Sequence, residues 1–125
     1  MNKELEEAIL YHYKHPKSKR VIKDATKLTG SNQSCGDKLN LYIKIQANKI
    51  SAASFDGSMC AICNYGAELL TAKIKGLGLK DTQKIDSLAL LGTNNPILNN
   101  PIRLKCFELA QIVLKASFNK DMPKK

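Results

Sequence analysis

Leu39, Leu41, Ile43 and Ile45 alternate with Lys38, Asn40, Tyr42 and Lys44, the period of a strand that buries one face and wets the other. Ala47-Asn48-Lys49 then reads as a hairpin turn into a further strand over 50–55. A short strand over 25–28 is read ahead of this hairpin, before the turn-rich Gly30-Ser31-Asn32-Gln33-Ser34. Elsewhere the period is helical. Leu5, Ile9 and Leu10, with Tyr13 following, mark an opening helix that Pro16 closes, and an extended basic stretch runs on through Arg20-Val21-Ile22. The turn residues Asp56-Gly57-Ser58 precede a helix over 60–75 that stops at Gly76. Two more helices are predicted over 81–91 and 102–118, separated by Gly92-Thr93-Asn94-Asn95-Pro96, with Pro101 at a favoured first-turn position. Residues 119–125 read as a frayed tail. Strands followed by a run of helices predict an α+β fold, a small three-stranded antiparallel sheet with helices packed on one face.

At 125 residues the chain reads as a single domain over 1–125, large enough to bury one core without a disulfide or metal. Its first residues lack the basic start and apolar run of a secretory signal, and no run of about 18 apolar residues occurs. The expectation is a soluble, cytoplasmic protein with no membrane contact. The net charge of +9 raises the question of nucleic acid. However, the basic residues spread from Lys14 to Lys125, and the densest run, Lys14-His15-Pro16-Lys17-Ser18-Lys19-Arg20, has tyrosines only on its N-terminal side. Nothing resembles a base-stacking signature or a DNA-reading helix, so the charge points to solubility and to an acidic protein partner.

The cysteines change the picture most. Cys35 lies in Cys35-Gly36-Asp37, Cys60 and Cys63 form Cys60-Ala61-Ile62-Cys63, and Cys106 follows Lys105. In a reducing cytosol such thiols suit metal binding or thiol chemistry better than structural disulfides. Thiolates from three segments, with a carboxylate two residues after the first, make an S3O donor set for a soft divalent metal or an iron–sulfur cluster. Cys35 and Asp37 project to the same side of a strand start, and Cys60 sits at a helix N-terminus that favours thiolate. Cys106 falls in the first turns of the last predicted helix, so all can meet at one rim of the sheet. Cys63, one turn beyond Cys60, is either a buried small side chain or a further sulfur ligand or resolving thiol. Lys105 is either a cation holding the Cys106 thiolate or a solvent-facing lysine, and Asp37 is either a ligand or a turn-former. His12 and His15 read as solvated or docking residues, and Leu10, Tyr11 and Tyr13 as helix packing or partner surface.

These pieces in this order resemble the iron–sulfur cluster assembly scaffold family, the IscU, SufU and NifU N-terminal group. The resemblance runs through Tyr13-Lys14-His15-Pro16-Lys17, Cys35-Gly36-Asp37, Phe55-Asp56-Gly57 before Cys60, Ile74-Lys75-Gly76, and Ile102-Arg103-Leu104-Lys105-Cys106 with Leu109-Ala110. It implies an α+β fold, a ligand set of Cys35, Asp37, Cys60 and Cys106, and a cysteine desulfurase as sulfur donor. IscU-type members carry histidine before the last cysteine, whereas Lys105 in Arg103-Leu104-Lys105-Cys106 is similar to the SufU type, in which the ligands hold Zn2+ and the protein accepts persulfide sulfur. By that analogy Cys106 is the sulfur acceptor. Three departures stand beside this: the insertion that SufU-type members carry after the Gly76 region is missing, Met59 replaces a glycine, and Cys63 replaces a serine. The resemblance therefore implies a zinc-dependent sulfurtransferase. Its alternative is a scaffold that builds a transient [2Fe–2S] cluster and passes it to downstream iron–sulfur acceptor or assembly proteins. A structural-zinc module for nucleic acid is a third class, opposed by Asp37, since structural sites normally use Cys and His alone.

Overall fold

The computed structural model describes residues 3–33 and 36–120, and for 117–120 the backbone only. Helix α1 (Lys3–Lys14) is followed by strands β1 (Thr26–Asn32), β2 (Asp37–Gln46) and β3 (Lys49–Ser58). Helices α2 (Ala61–Ile74), α3 (Leu79–Thr82) and α4 (Ser87–Leu91), a 3-10 turn (Pro96–Asn99), α5 (Pro101–Phe107) and α6 (Leu109–Lys120) complete the chain. The sheet is antiparallel with order β1-β2-β3, and α2 and α6 pack against it. This is the predicted α+β architecture.

The alternation read in β2 has the expected result. Leu39, Leu41 and Ile43 are buried against the helices with Ile50, Ala53 and Phe55 of β3 and Leu70 and Ile74 of α2. Gln46 pairs with Lys49 across a two-residue turn whose Ala47 and Asn48 have φ of 53° and 64°. Two positive φ values give the turn the twist that adjacent strands require. A bulge at Ser51 shifts the register between Lys44 and Ile45. Behind this core, Leu5 and Ile9 of α1 meet Tyr65, Phe107 and Ile97 in a second cluster.

Several boundaries differ from the sequence reading. Strand β1 runs through Gly30, Ser31 and Asn32, because the ladder with β2 continues to the pair Asn32–Asp37. Asp56, Gly57 and Ser58 likewise stay in β3, paired with Asn40, Leu39 and Lys38. The helix predicted over 81–91 is two short ones, since Asp86 caps the second by accepting the Ala89 N–H at 2.9 Å; a capping carboxylate stabilises a helix start more than a helix interior. The helix predicted over 102–118 breaks at Glu108: α5 packs on α2 and the 3-10 turn, whereas α6 packs on α2 and on β1 and β2 of the sheet. Asn119 and Lys120 belong to α6 rather than to the expected tail, whose remainder, 121–125, lies outside the described residues. Among the described residues no helix is long and apolar enough to cross a membrane.

Candidate metal centre

Three elements deliver polar side chains to one rim of the sheet. Asp37 opens β2, Cys60 is the N-cap of α2, and Cys106 lies in α5, which is a separate helix from the last one. One carboxylate oxygen and the two Sγ atoms lie within 4.8 Å of one another. Asp37 and Cys106 are buried and Cys60 is exposed, so one thiol faces solvent. Cys35, the remaining ligand that the sequence resemblance implies, lies outside the described residues.

The local structure explains the convergence. Asp37 Oδ1 accepts the Cys60 backbone N–H at 2.8 Å, which leaves Oδ2 turned toward Cys60 Sγ at 3.7 Å. Cys60 Sγ also accepts the Cys63 N–H at 3.4 Å, the orphan donor of a helix start. Asn64, fully enclosed, donates its side-chain amide to the carbonyls of Met59 and Cys60, both at 3.1 Å, which fixes the entry into α2. Cys106 is held from the other side. Gly66 lets α5 lie directly on α2, since a β-carbon there would run into the carbonyl oxygen of Phe107.

The donor set fits a tetrahedral soft-metal site. Bonds of about 2.3 Å to sulfur and about 2.0 Å to oxygen put neighbouring tetrahedral donors roughly 3.5–3.8 Å apart, and the Asp37 Oδ2 to Cys60 Sγ separation falls in that range. The second Asp37 oxygen is engaged with backbone, as an orienting contact behind a metal ligand should be.

Of the remaining sequence candidates, Cys63 is fully buried among Leu39, Phe55 and Ala67 in the main core. Lys105 is exposed and lines a shallow cleft with Ser31, Asn32, Gln33, Leu109 and Ile112, so the solvent-facing reading describes it. His12 packs its ring on Tyr65 with Nδ1 3.7 Å from Glu68 Oε1, and His15 lies tilted against the Tyr11 ring. Leu10, Tyr11 and Tyr13 are about half exposed, as a partner surface would be. The sequence reading missed Asn32, placed in a turn there. It is buried at the end of β1, with Nδ2 3.8 Å from Cys106 Sγ.

Comparison with known proteins sets this geometry in context. The family model of the NifU-like N-terminal domain matches residues 4–125. The chain is 34% identical over 70 residues to the zinc-dependent sulfurtransferase SufU of Bacillus subtilis, a stretch that is 56% of this chain and spans about half (48%) of that relative's length. It is 31% identical over 133 residues to the iron–sulfur cluster assembly scaffold protein IscU of Thermotoga maritima, covering 91% of this chain and 92% of that one. Among solved structures, one described as an iron–sulfur cluster assembly scaffold protein for the SUF system of Fervidobacterium islandicum superposes with a TM-score of 0.72 at 28% identity. That match covers 88% of this chain and 93% of the other. The N-terminal part of a NifU-like protein from Brucella abortus shares the fold, with a TM-score of 0.72 at 12% identity over 94% of this chain and 91% of that one.

Proposed function

The chain belongs to the NifU-like N-terminal domain family, and from that premise we propose that it serves iron–sulfur cluster assembly by accepting persulfide sulfur from a cysteine desulfurase. In this reading Cys35, Asp37, Cys60 and Cys106 hold zinc and Cys106 is the acceptor. The observation that carries it is the approach of Asp37, Cys60 and Cys106 to within 4.8 Å of one another from three separate elements. The similarity to a relative named as a zinc-dependent sulfurtransferase supports it. When bound, zinc supplies positive charge that keeps its ligand sulfurs as thiolates.

The chain's own residues then do the following. The Cys106 thiolate attacks the outer sulfur of the desulfurase persulfide; the donor's S–S bond breaks, a new S–S bond forms on Cys106, and the donor cysteine departs as thiolate with no net oxidation. Asp37, a hard oxygen donor among sulfurs, is the ligand that exchanges most readily. Cys60 lies at the exposed lip where a partner's reactive segment would enter. The sulfur passes on to downstream iron–sulfur acceptor or assembly proteins in the cytoplasm, with no nucleic acid involved.

A second reading is favoured by the near full-length similarity to the Thermotoga scaffold: the same residues receive iron and sulfur and hold a [2Fe–2S] cluster as cargo. Mixing the purified chain with its desulfurase, cysteine and iron separates the two. Faster alanine release with no visible chromophore supports sulfur transfer, a chromophore that leaves with an acceptor protein supports the scaffold, and neither response overturns both.

A further inference from the structure

The last residue of β1 and the first of β2 form a cross-strand pair, Asn32 opposite Asp37, so their side chains leave the same face of the sheet. Each reaches a different sulfur: Asp37 approaches Cys60, and Asn32 donates from Nδ2 to Cys106 Sγ at 3.8 Å. Asn32 and Cys106 are both about 95% buried. Burying a carboxamide is unfavourable unless it is hydrogen-bonded, and Cys106 Sγ takes one of the Asn32 amide N–H groups. The side chain of Asn32 thus ties the end of β1 to Cys106 in α5.

We propose that Asn32 is a positioning residue for sulfur transfer, holding Cys106 Sγ at the mouth of the hairpin so that the sulfur meets the incoming persulfide in a fixed direction. The inference rests on the sulfur-acceptor reading of Cys106. It goes beyond that reading in assigning a role to a residue that binds neither metal nor substrate. Lys105 and Ile112 line the same cleft as Asn32, so the surface on which a partner would rest adjoins it. Misplacement of a reacting atom by a fraction of its bond length lowers the rate of the chemical step while leaving encounter unaffected.

Two measurements test this. In Asn32→Asp, which has the same shape but no N–H donor toward sulfur, the maximal rate of labelled sulfur transfer from the desulfurase to Cys106 should fall about tenfold, the upper range for one lost hydrogen bond. The concentration of the chain at half-maximal rate should change by less than about twofold, since positioning acts on the chemical step. Asn32→Leu should behave the same way and serves in its place if the aspartate variant does not fold. Independently, the side-chain amide resonances of Asn32 in the unsubstituted chain should shift on Cys106→Ser, read by isotope-edited NMR with no desulfurase present. An unchanged maximal rate in a folded Asn32 variant, or amide resonances indifferent to Cys106, overturns the proposal. If the wild-type chain accepts no sulfur at Cys106, the functional reading fails and the proposed role falls with it, while the amide resonances still report whether Asn32 grips Cys106.

Discussion

Glu68 lies in the interior of α2, buried, yet among the described residues its carboxylate forms no ion pair with a lysine or arginine side chain. It accepts the backbone N–H groups of Lys17, at 3.2 and 3.0 Å, and of Ser18, at 3.0 Å, and so ties the segment after α1 to the helix that Cys60 caps. Hydrogen bonds to a charged acceptor are the stronger kind, so Glu68→Gln should lower unfolding free energy by about 2 kcal/mol in urea titration. Nothing in the sequence announced this, because the partners lie some fifty positions upstream and are backbone groups. Asp37 was legible for the opposite reason, standing next to a glycine and a cysteine in a compact motif. Asp37→Ala removes both the candidate ligand and the acceptor for the Cys60 N–H, and competitive chelation should show zinc affinity lowered at least 10- to 100-fold, roughly the cost of losing even an orienting partner. Tyr42 offers a pH test. Burial, and then the hydrogen bond and negative charge of Asp56, raise its phenol above the ordinary value of 10.0. A folded-state pKa above the unfolded one means stability present below pH 10 and lost as pH rises through the higher folded value. Urea midpoints should therefore fall above pH 10, and less steeply in Tyr42→Phe.

Local pattern was sufficient for some elements and not for others. The alternation from Lys38 to Ile45 fixed β2 and its buried face, and the Ala47-Asn48 turn followed from the spacing of the two strands. The extent of β1 was not legible, because Gly30, Ser31 and Asn32 have turn composition and are held extended by pairing with β2. Nor was the break at Glu108, beyond which α6 keeps its contact with α2 and adds the sheet. The same distinction governs substitutions. Ala47 adopts φ of 53°, a left-handed conformation that costs an alanine about 1 kcal/mol, so Ala47→Gly should raise stability by about 0.5–1 kcal/mol in denaturant unfolding. Gly66→Ala should do the reverse, driving α5 off α2 at a cost of about 1–3 kcal/mol and carrying Cys106 away from Cys60. Cobalt titration should then show weakened binding, although no donor has been altered.

Over the whole molecule, the candidate donors come from a strand, a helix cap and a second helix, so a bound ion would crosslink three separate elements. Metal binding of this kind contributes to folding stability. The net charge of +9, with exposed Ile102 and Ile112 on either side of Lys105 in sequence, suits a partner with an acidic rim around an apolar contact. If the proposed sulfur transfer holds, association with a desulfurase should accordingly slow as ionic strength rises from about 0.05 to about 0.5 M, read in stopped-flow mixing, because the screening length shrinks to a few ångströms. The most direct examination of the site is X-ray absorption at the zinc edge on the zinc-loaded chain. Three sulfur neighbours at about 2.3 Å and one oxygen at about 2.0 Å are expected, with the oxygen contribution from Asp37 changed in Asp37→Ala. A shell of nitrogen and oxygen alone, or a spectrum unaltered by Cys60→Ser and Cys106→Ser, would contradict the convergence of these residues on a metal.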